Sequence, residues 1–421
     1  MAAITRFLTS EPTLAWIGQF SQDEQALAIE MLRKMLLVSR DAFTERMIAL
    51  LLKRCAEGQE PVGLYAEREV RKRHGSPLRL FKQTNTKVKR AHGAGPQPVQ
   101  TFRAYDADVG SEGIVAQLVS EVCRRYPKRF LNHPGPDQIR KYRVRRFILV
   151  SDFIGSGDRA RAYIEAAWRV RSVRSWWSSR AKHGMSFEVV AYTGTERGIA
   201  YVASHPAKPD VHIVAVCPTV FNSFSYQKRL EIIELCRNHY PGTMDMPALG
   251  YGATGALVAF AHGAPNNCPL IFHKRSGVWE PLFPQRITAS SRETFAEDQN
   301  RGERLRERLL DMRQARLAAA GVAEAVDPRR RSLVAVMAAL ARPPRSAHSV
   351  ALRTGLTIAE VEKLLAHALK SAWIDGQNHL TDMGYAELEQ LKVKQTPFPL
   401  SPTREDNYCP NQLRAPVESH S

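Results

Sequence analysis

Apolar and polar positions change rhythm along this chain, and the changes mark out its elements. Over residues 21–37, Leu27, Ile29, Met31, Leu32, Met35, Leu36 and Leu37 form one broad apolar face. Ser21-Gln22-Asp23-Glu24, which has the form of a capping box, precedes it, so the pattern predicts a helix running through Leu37. A second helical pattern covers 41–55, with Phe43, Met47, Ile48, Leu50, Leu51 and Leu52. Together they predict a helical cap on the domain that follows. From about residue 101 the rhythm alternates. Apolar runs at 147–150, 187–192 and 211–217 read as buried strands, and amphipathic stretches at 114–126, 160–170, 196–204 and 226–239 read as helices. Strands alternating with helices predict an α/β fold with a mostly parallel sheet covered on both faces. Residues 256–262 read as one more strand, and Ile271-Phe272 as the start of another.

The pattern changes again after residue 290. Residues 291–331 alternate charges and predict a helical linker. Three short helical patterns follow at 332–341, 346–354 and 358–371, with Gly355 at the turn and Thr357 as cap. Trp373-Ile374 and His379-Leu380 flank Asp375-Gly376-Gln377-Asn378 as a two-stranded wing, and a last helix starts at Thr381. This order resembles a winged helix-turn-helix domain, over 332–393. In such domains the third helix enters the major groove, which makes Thr357, Lys363 and Lys370 candidate nucleic-acid contacts; few positions there are strongly basic, so a protein or a structured nucleic acid stays open as the partner. Residues 394–421 have five prolines and no period, and read as a disordered tail.

Composition sharpens this picture in one respect. Among 421 residues, Lys and Arg number 60 against 42 Asp and Glu, giving +18 and a pI near 9.8. That balance points to a polyanionic partner, nucleic acid first. The N-terminal region, 1–100, carries a basic run at 68–90, whose Arg71, Lys72, Arg73, Lys87, Lys89 and Arg90 are candidate contacts. The alternative is a solvated face. Six scattered cysteines without a CxxC pair argue against a zinc ribbon and a disulfide framework, and fit a reducing cytoplasm. No apolar run approaches 18 residues and the N-terminus has no signal-peptide core, so no membrane association is expected.

Candidate chemistry concentrates in 147–159, FILVSDFIGSGDR. A buried strand runs into Gly155-Ser156-Gly157-Asp158-Arg159, and a helix follows. In that arrangement backbone N–H groups converge on a phosphate. Asp152, at the strand end, is placed for a ribose hydroxyl or a metal ion. The spacing resembles the phosphoribosyl-pyrophosphate loop of type I phosphoribosyltransferases, with two departures. Ser151 stands where that family has a second carboxylate, and Arg159 where its loop ends in Thr. A second stretch, residues 249–286, carries HGAPNNCPLIFH and WEPLFPQR, and Asn266, Asn267, Lys274 and Arg275 there are candidate pocket residues.

These runs resemble the phosphoribosyltransferase-like proteins of bacterial conflict systems, including those encoded beside retron reverse transcriptases. The resemblance spans about residues 13–290, and 101–290 is its α/β domain. It implies Asp152 as the catalytic carboxylate and Gly155 to Arg159 as the cradle of a ribose 5-phosphate. It implies Mg2+ with the diphosphate and, as nucleic-acid partner, the RNA–DNA hybrid of a retron with its reverse transcriptase. A Gly-containing turn at 108–113 stands where the family holds pyrophosphate, although an ordinary helix N-terminus with Ser111 as cap is the better reading of it. Three functions stay open: an antiphage effector acting on a phosphoribosyl or nucleotide ligand, a non-catalytic nucleotide-sensing regulator, and a salvage transferase. Trp176-Trp177, in the basic stretch 171–184, read either as a flap over the site or as an anchored surface turn. No HExxH, GxSxG or P-loop motif is present.

Overall fold

The computed structural model describes residues 3–58, 60–97, 111–181, 184–240, 242–295, 301–320 and 328–392. The expected tail and the turn residues 108–110 lie outside the described residues. Seven strands position the site: β1 Leu36–Val38, β2 Val62–Ala66, β3 Phe130–Asn132, β4 Arg146–Ile154, β5 Ser186–Gly194, β6 Asp210–Val216 and β7 Val258–Phe260. Five of them form an all-parallel sheet in the order β6-β5-β4-β2-β3. β4 reads as a nearly unbroken apolar run because both of its faces are covered. Ile148 and Val150 point into one core, with Phe43, Met47 and Leu51 of the helical cap. Phe147 and Leu149 point into the other, with Tyr163 and Ile164. The fold class is the α/β arrangement read from the sequence, with helices capping one face.

The first helix ends earlier than its apolar pattern predicts. α1, Gln22–Arg33, is closed by its capping box at Ser21 and Glu24, and Leu36–Val38 leaves it as β1. β1 pairs in parallel with β7, more than 200 residues away. A partner so distant leaves no local signal, and three apolar residues fit either period. Ile271 and Phe272 belong to a buried 3-10 turn, Leu270–Phe272, not to a strand; the Phe272 N–H closes it on Pro269 O at 3.0 Å.

Five further helices matter below: α2 Arg40–Cys55, α3 Ser111–Arg125, α4 Asp158–Trp168, α5 Arg171–Ser178 and α6 Glu196–Ala203. Beyond the sheet, α7 Arg301–Asp311 buries Leu305 and Leu309 against α8 Pro328–Leu340. α9 Ala347–Thr354 and α10 Ile358–Lys370 complete the winged-helix core and pack against β6, the outermost strand of the sheet. Gly355 ends α9 at φ 62, in the left-handed region that favours glycine. The wing is one antiparallel bridge, Ile374 to Leu380, with the Asp375 N–H donating to His379 O at 2.9 Å. Among the described residues, no helix is long and apolar enough to cross a membrane.

Candidate functional site

The strand order reverses between β2 and β4, and open α/β sheets bind ligands beside the carboxyl ends of their strands at such a point. β4 delivers Ser151 and Asp152 there and then turns through Gly155-Ser156-Gly157 into α4. Gly157 is left-handed, φ 87, and a Cβ on it would lie 2.7 Å from Gly198 O. Only glycine meets both conditions without strain. A Cβ on Gly155 would overlap the Asn267 side chain. Behind the loop, the Thr195 hydroxyl donates to Gly155 O at 2.6 Å and accepts the Gly198 N–H at 3.0 Å. One residue thus caps α6 and fixes the loop, an N-cap contribution of about 1 kcal/mol.

The loop presents its amides outward. Among the described residues, the N–H groups of Ser156, Gly157, Arg159 and Ala160 make no hydrogen bond. With the macrodipole of the 11-residue α4 behind them, they have the arrangement that attracts an anion. The loop also carries a carboxylate of its own. Asp158 accepts from the Ser156 hydroxyl at 2.7 Å and from the Tyr251 hydroxyl at 3.2 Å. Asn266 and Asn267 close the same side. The Tyr251 N–H donates to Asn266 O at 2.8 Å, and Asn267 Nδ2 donates to Tyr251 O at 2.9 Å.

Asp152 lies 3.3 Å from His262 Nε2. Burial works against its charge; the His262 hydrogen bond and charge, Arg159 and the Ser111 hydroxyl outweigh it and hold the carboxyl below its usual range. Arg159 does not face the loop amides. It turns toward the sheet and pairs with Glu112 of α3.

Sequence reasoning missed Glu67. It follows β2, is 6% exposed, and accepts the Ser151 hydroxyl. Burial pushes its carboxyl up to about 7, with Asp152 and Glu112 adding to the rise and Arg159 and Ser151 opposing it. The missing second carboxylate of the loop is therefore offset spatially: Ser151 holds a carboxyl from the neighbouring strand. The five apolar residues of Val62–Ala66 before Glu67 were the available signal.

Other candidates fall elsewhere. Arg275 is exposed and pairs with Glu280, beside the equally exposed Lys274, with no hydrogen bond to the loop. Arg71, Lys72 and Arg73 lie on an exposed hairpin with Ser76–Pro77, while Lys87, Lys89 and Arg90 belong to a second, Lys82–Gln83 with Ala91–His92. Thr357 is buried and spent on a capping box with Glu360; Lys363 and Lys370 are exposed on α10. Trp176 and Trp177 lie on α5 away from the loop, with Trp177 Nε1 donating to Ala207 O at 2.8 Å, so they form an anchored surface element and not a flap. For Mg2+, Glu67, Asp152 and Glu112 are each committed to a partner. Among the described residues no three His, Cys, Asp or Glu converge on one point, so these side chains form no preformed metal cage.

Comparison with curated proteins and with solved structures finds no match. Family models match twice. Residues 334–415 match wHTH-PRTase associated, in keeping with the helices and wing around α10. Residues 13–285 match PRTase-CE, PRTase denoting phosphoribosyltransferase, and this span holds the sheet, the loop and the Asn267 wall. With some two thirds of its length in that match, the chain belongs to the PRTase-CE family and carries a winged-helix domain behind its phosphoribosyltransferase-like one.

Proposed function

We propose that the α/β domain binds a phosphoribosyl group, free or within a nucleotide, on the Gly155–Arg159 loop, and that the protein serves as an antiphage effector held on nucleic acid. The observation that carries the ligand is the loop itself: unbonded amides, a helix dipole and an obligatory glycine at Gly157, at the switch point of a parallel sheet. In this reading the amides take the 5-phosphate, and Asp152 receives the ribose hydroxyls. Membership of a family paired with a winged-helix partner domain supports the effector role, with a retron RNA–DNA hybrid as the restraining nucleic acid.

Calorimetric titration of the full chain with phosphoribosyl pyrophosphate and with AMP tests the ligand. Binding is expected in the wild type and lost in Gly157→Glu, with thermal unfolding still cooperative. Equal binding by both proteins overturns it.

One observation favours a second, catalytic reading. A buried carboxyl poised near 7 can act as a general acid at neutral pH. Glu67 would protonate the departing base nitrogen as the glycosidic C1′–N bond breaks, and water would add to C1′. Release of free base from a nucleotide, absent in Glu67→Gln, is its signature.

A further inference from the structure

The positive charge of this protein is concentrated. Segments 70–97, 139–145 and 169–181 hold sixteen Lys or Arg and no Asp or Glu, which leaves the rest of the chain at only +2. The fold brings the three together. The Ala91 N–H donates to Ser172 Oγ at 2.8 Å, and the Arg171 N–H to Gln83 Oε1 at 2.8 Å, which fastens the second hairpin to α5. The Gly93 N–H donates to Asp137 Oδ2 at 2.8 Å, at the head of the helix that leads into 139–145. The first hairpin joins the same surface, where Arg169 Nη1 donates to Pro77 O at 2.6 Å.

Between two of these segments, 139–145 and 169–181, is a cavity of about 430 Å³. Its apolar floor is Ile139, Val144 and Met185, all at least nine-tenths buried. Trp176 forms one wall, with the Arg140 guanidinium 6.0 Å from its ring centroid. Arg143 and Arg145 stand at the rim. Arg145 is paired with Glu60 at 3.2 Å, whereas Arg143 is exposed and makes no ion pair among the described residues. Arg145 and Met185 each immediately precede a strand, β4 and β5, so the cavity opens at the amino ends of the sheet. Nine-residue strands put it about 30 Å from the phosphate loop.

We infer that this face is a binding site for single-stranded nucleic acid, with one base entering the cavity against Trp176 and flanking phosphates on Arg143 and the neighbouring basic segments. An indole beside guanidinium groups on a cationic surface is the combination that holds unpaired bases without regard to sequence. A duplex keeps its bases stacked and offers none to a cavity. The exposed face of α10 is a poorer polyanion site, because Glu362 accompanies Lys363 there and is itself paired with Lys53 at 2.9 Å. The inference deepens the nucleic-acid half of the proposed function and is independent of the phosphate loop.

Fluorescence anisotropy of the full chain with labelled 12-nucleotide dT and rU strands, and with a 12-base-pair duplex, tests it. Both single strands are expected to bind at least tenfold tighter than the duplex, and their ratio decides between DNA and RNA. Trp176→Ala should weaken strand binding about tenfold. Arg143→Gln, at an exposed position, should weaken it several-fold and reduce the slope of log Kd against log salt by about 0.7. It serves as the deciding variant if Trp176→Ala misfolds. Wild-type affinity in Arg143→Gln, or preference for the duplex, overturns the site alone. Failure of every probe to bind removes the nucleic-acid half of the proposed function with it.

Discussion

The two ends of the central sheet are built on opposite principles. At the carboxyl ends, glycines and free amides lie in a setting rich in carboxylates, with Glu67, Glu112 and Asp152 around the guanidinium of Arg159 and Asp158 on the loop itself. At the amino ends, arginines and an indole surround a cavity with an apolar floor. The first end suits a small ligand whose one phosphate can reach the amides, and it repels an extended polyanion. The second suits an extended polyanion and offers no convergent amides. A net charge of +18 therefore says nothing about the phosphate loop, which lies in the more acidic part of the molecule.

If the ends are independent, variants should separate them. The largest effect belongs to Gly157→Ala. A Cβ at φ 87, pressed on Gly198 O, costs about 2 kcal/mol in strain and displaces the amides. Calorimetry should show phosphoribosyl affinity falling about a hundredfold, as charge-assisted amide bonds are lost, with nucleic-acid affinity unchanged. A parallel loss at both ends would break the comparison.

Glu67→Gln comes next and is read through pH. The folded carboxyl is raised to about 7 from an ordinary value of 4.5, so the native state holds the proton more tightly than the unfolded chain. Wild-type stability should thus fall as pH rises from 4.5 to 7, by up to about 3 kcal/mol. In denaturant titrations the variant and wild type should coincide near pH 4, with the variant more stable above pH 7. A constant difference at all pH values would show that Glu67 does not titrate in this window.

A smaller effect is expected from Asp158→Asn. Removing the negative charge that the loop carries beside Ser156 should tighten phosphoribosyl binding about fivefold, a gain measurable by the same calorimetry. Weaker binding would make Asp158 a ligand contact instead of a competitor. The smallest concerns neither end. Lys53–Glu362 is half-exposed on both sides, and Lys53→Ala should change stability by about 0.5 kcal/mol or less in a thermal melt.

Local pattern carried much of this architecture. The strand, loop and helix around Gly157 lie consecutively in the chain, and each has a period or a glycine to mark it. The winged-helix order was legible for the same reason. What escaped were contacts between distant segments. Glu67 reaches Ser151 only because β2 inserts beside β4, and β2 is five apolar residues ahead of a long basic stretch that dominates any window. β1 was absorbed into the helix before it because its partner β7 lies far down the chain. Arg159 carries the right chemistry for phosphate, yet it pairs with Glu112 of a helix far back in the chain. No one-dimensional reading sees a competitor that arrives through the fold.

The packing of α9 and α10 against β6 bears on how deletions should be read. β6 is the last strand of the sheet, and an uncovered edge invites pairing with other chains. Removing residues 328–392 would strip that cover and expose Ile213 and Val216 with it. A truncated protein that loses activity, or precipitates, would then report an aggregating edge strand as readily as a missing nucleic-acid contact. Charge-changing substitutions on the outer face of α10, at Lys363 and Lys370, leave the edge covered and ask the question cleanly.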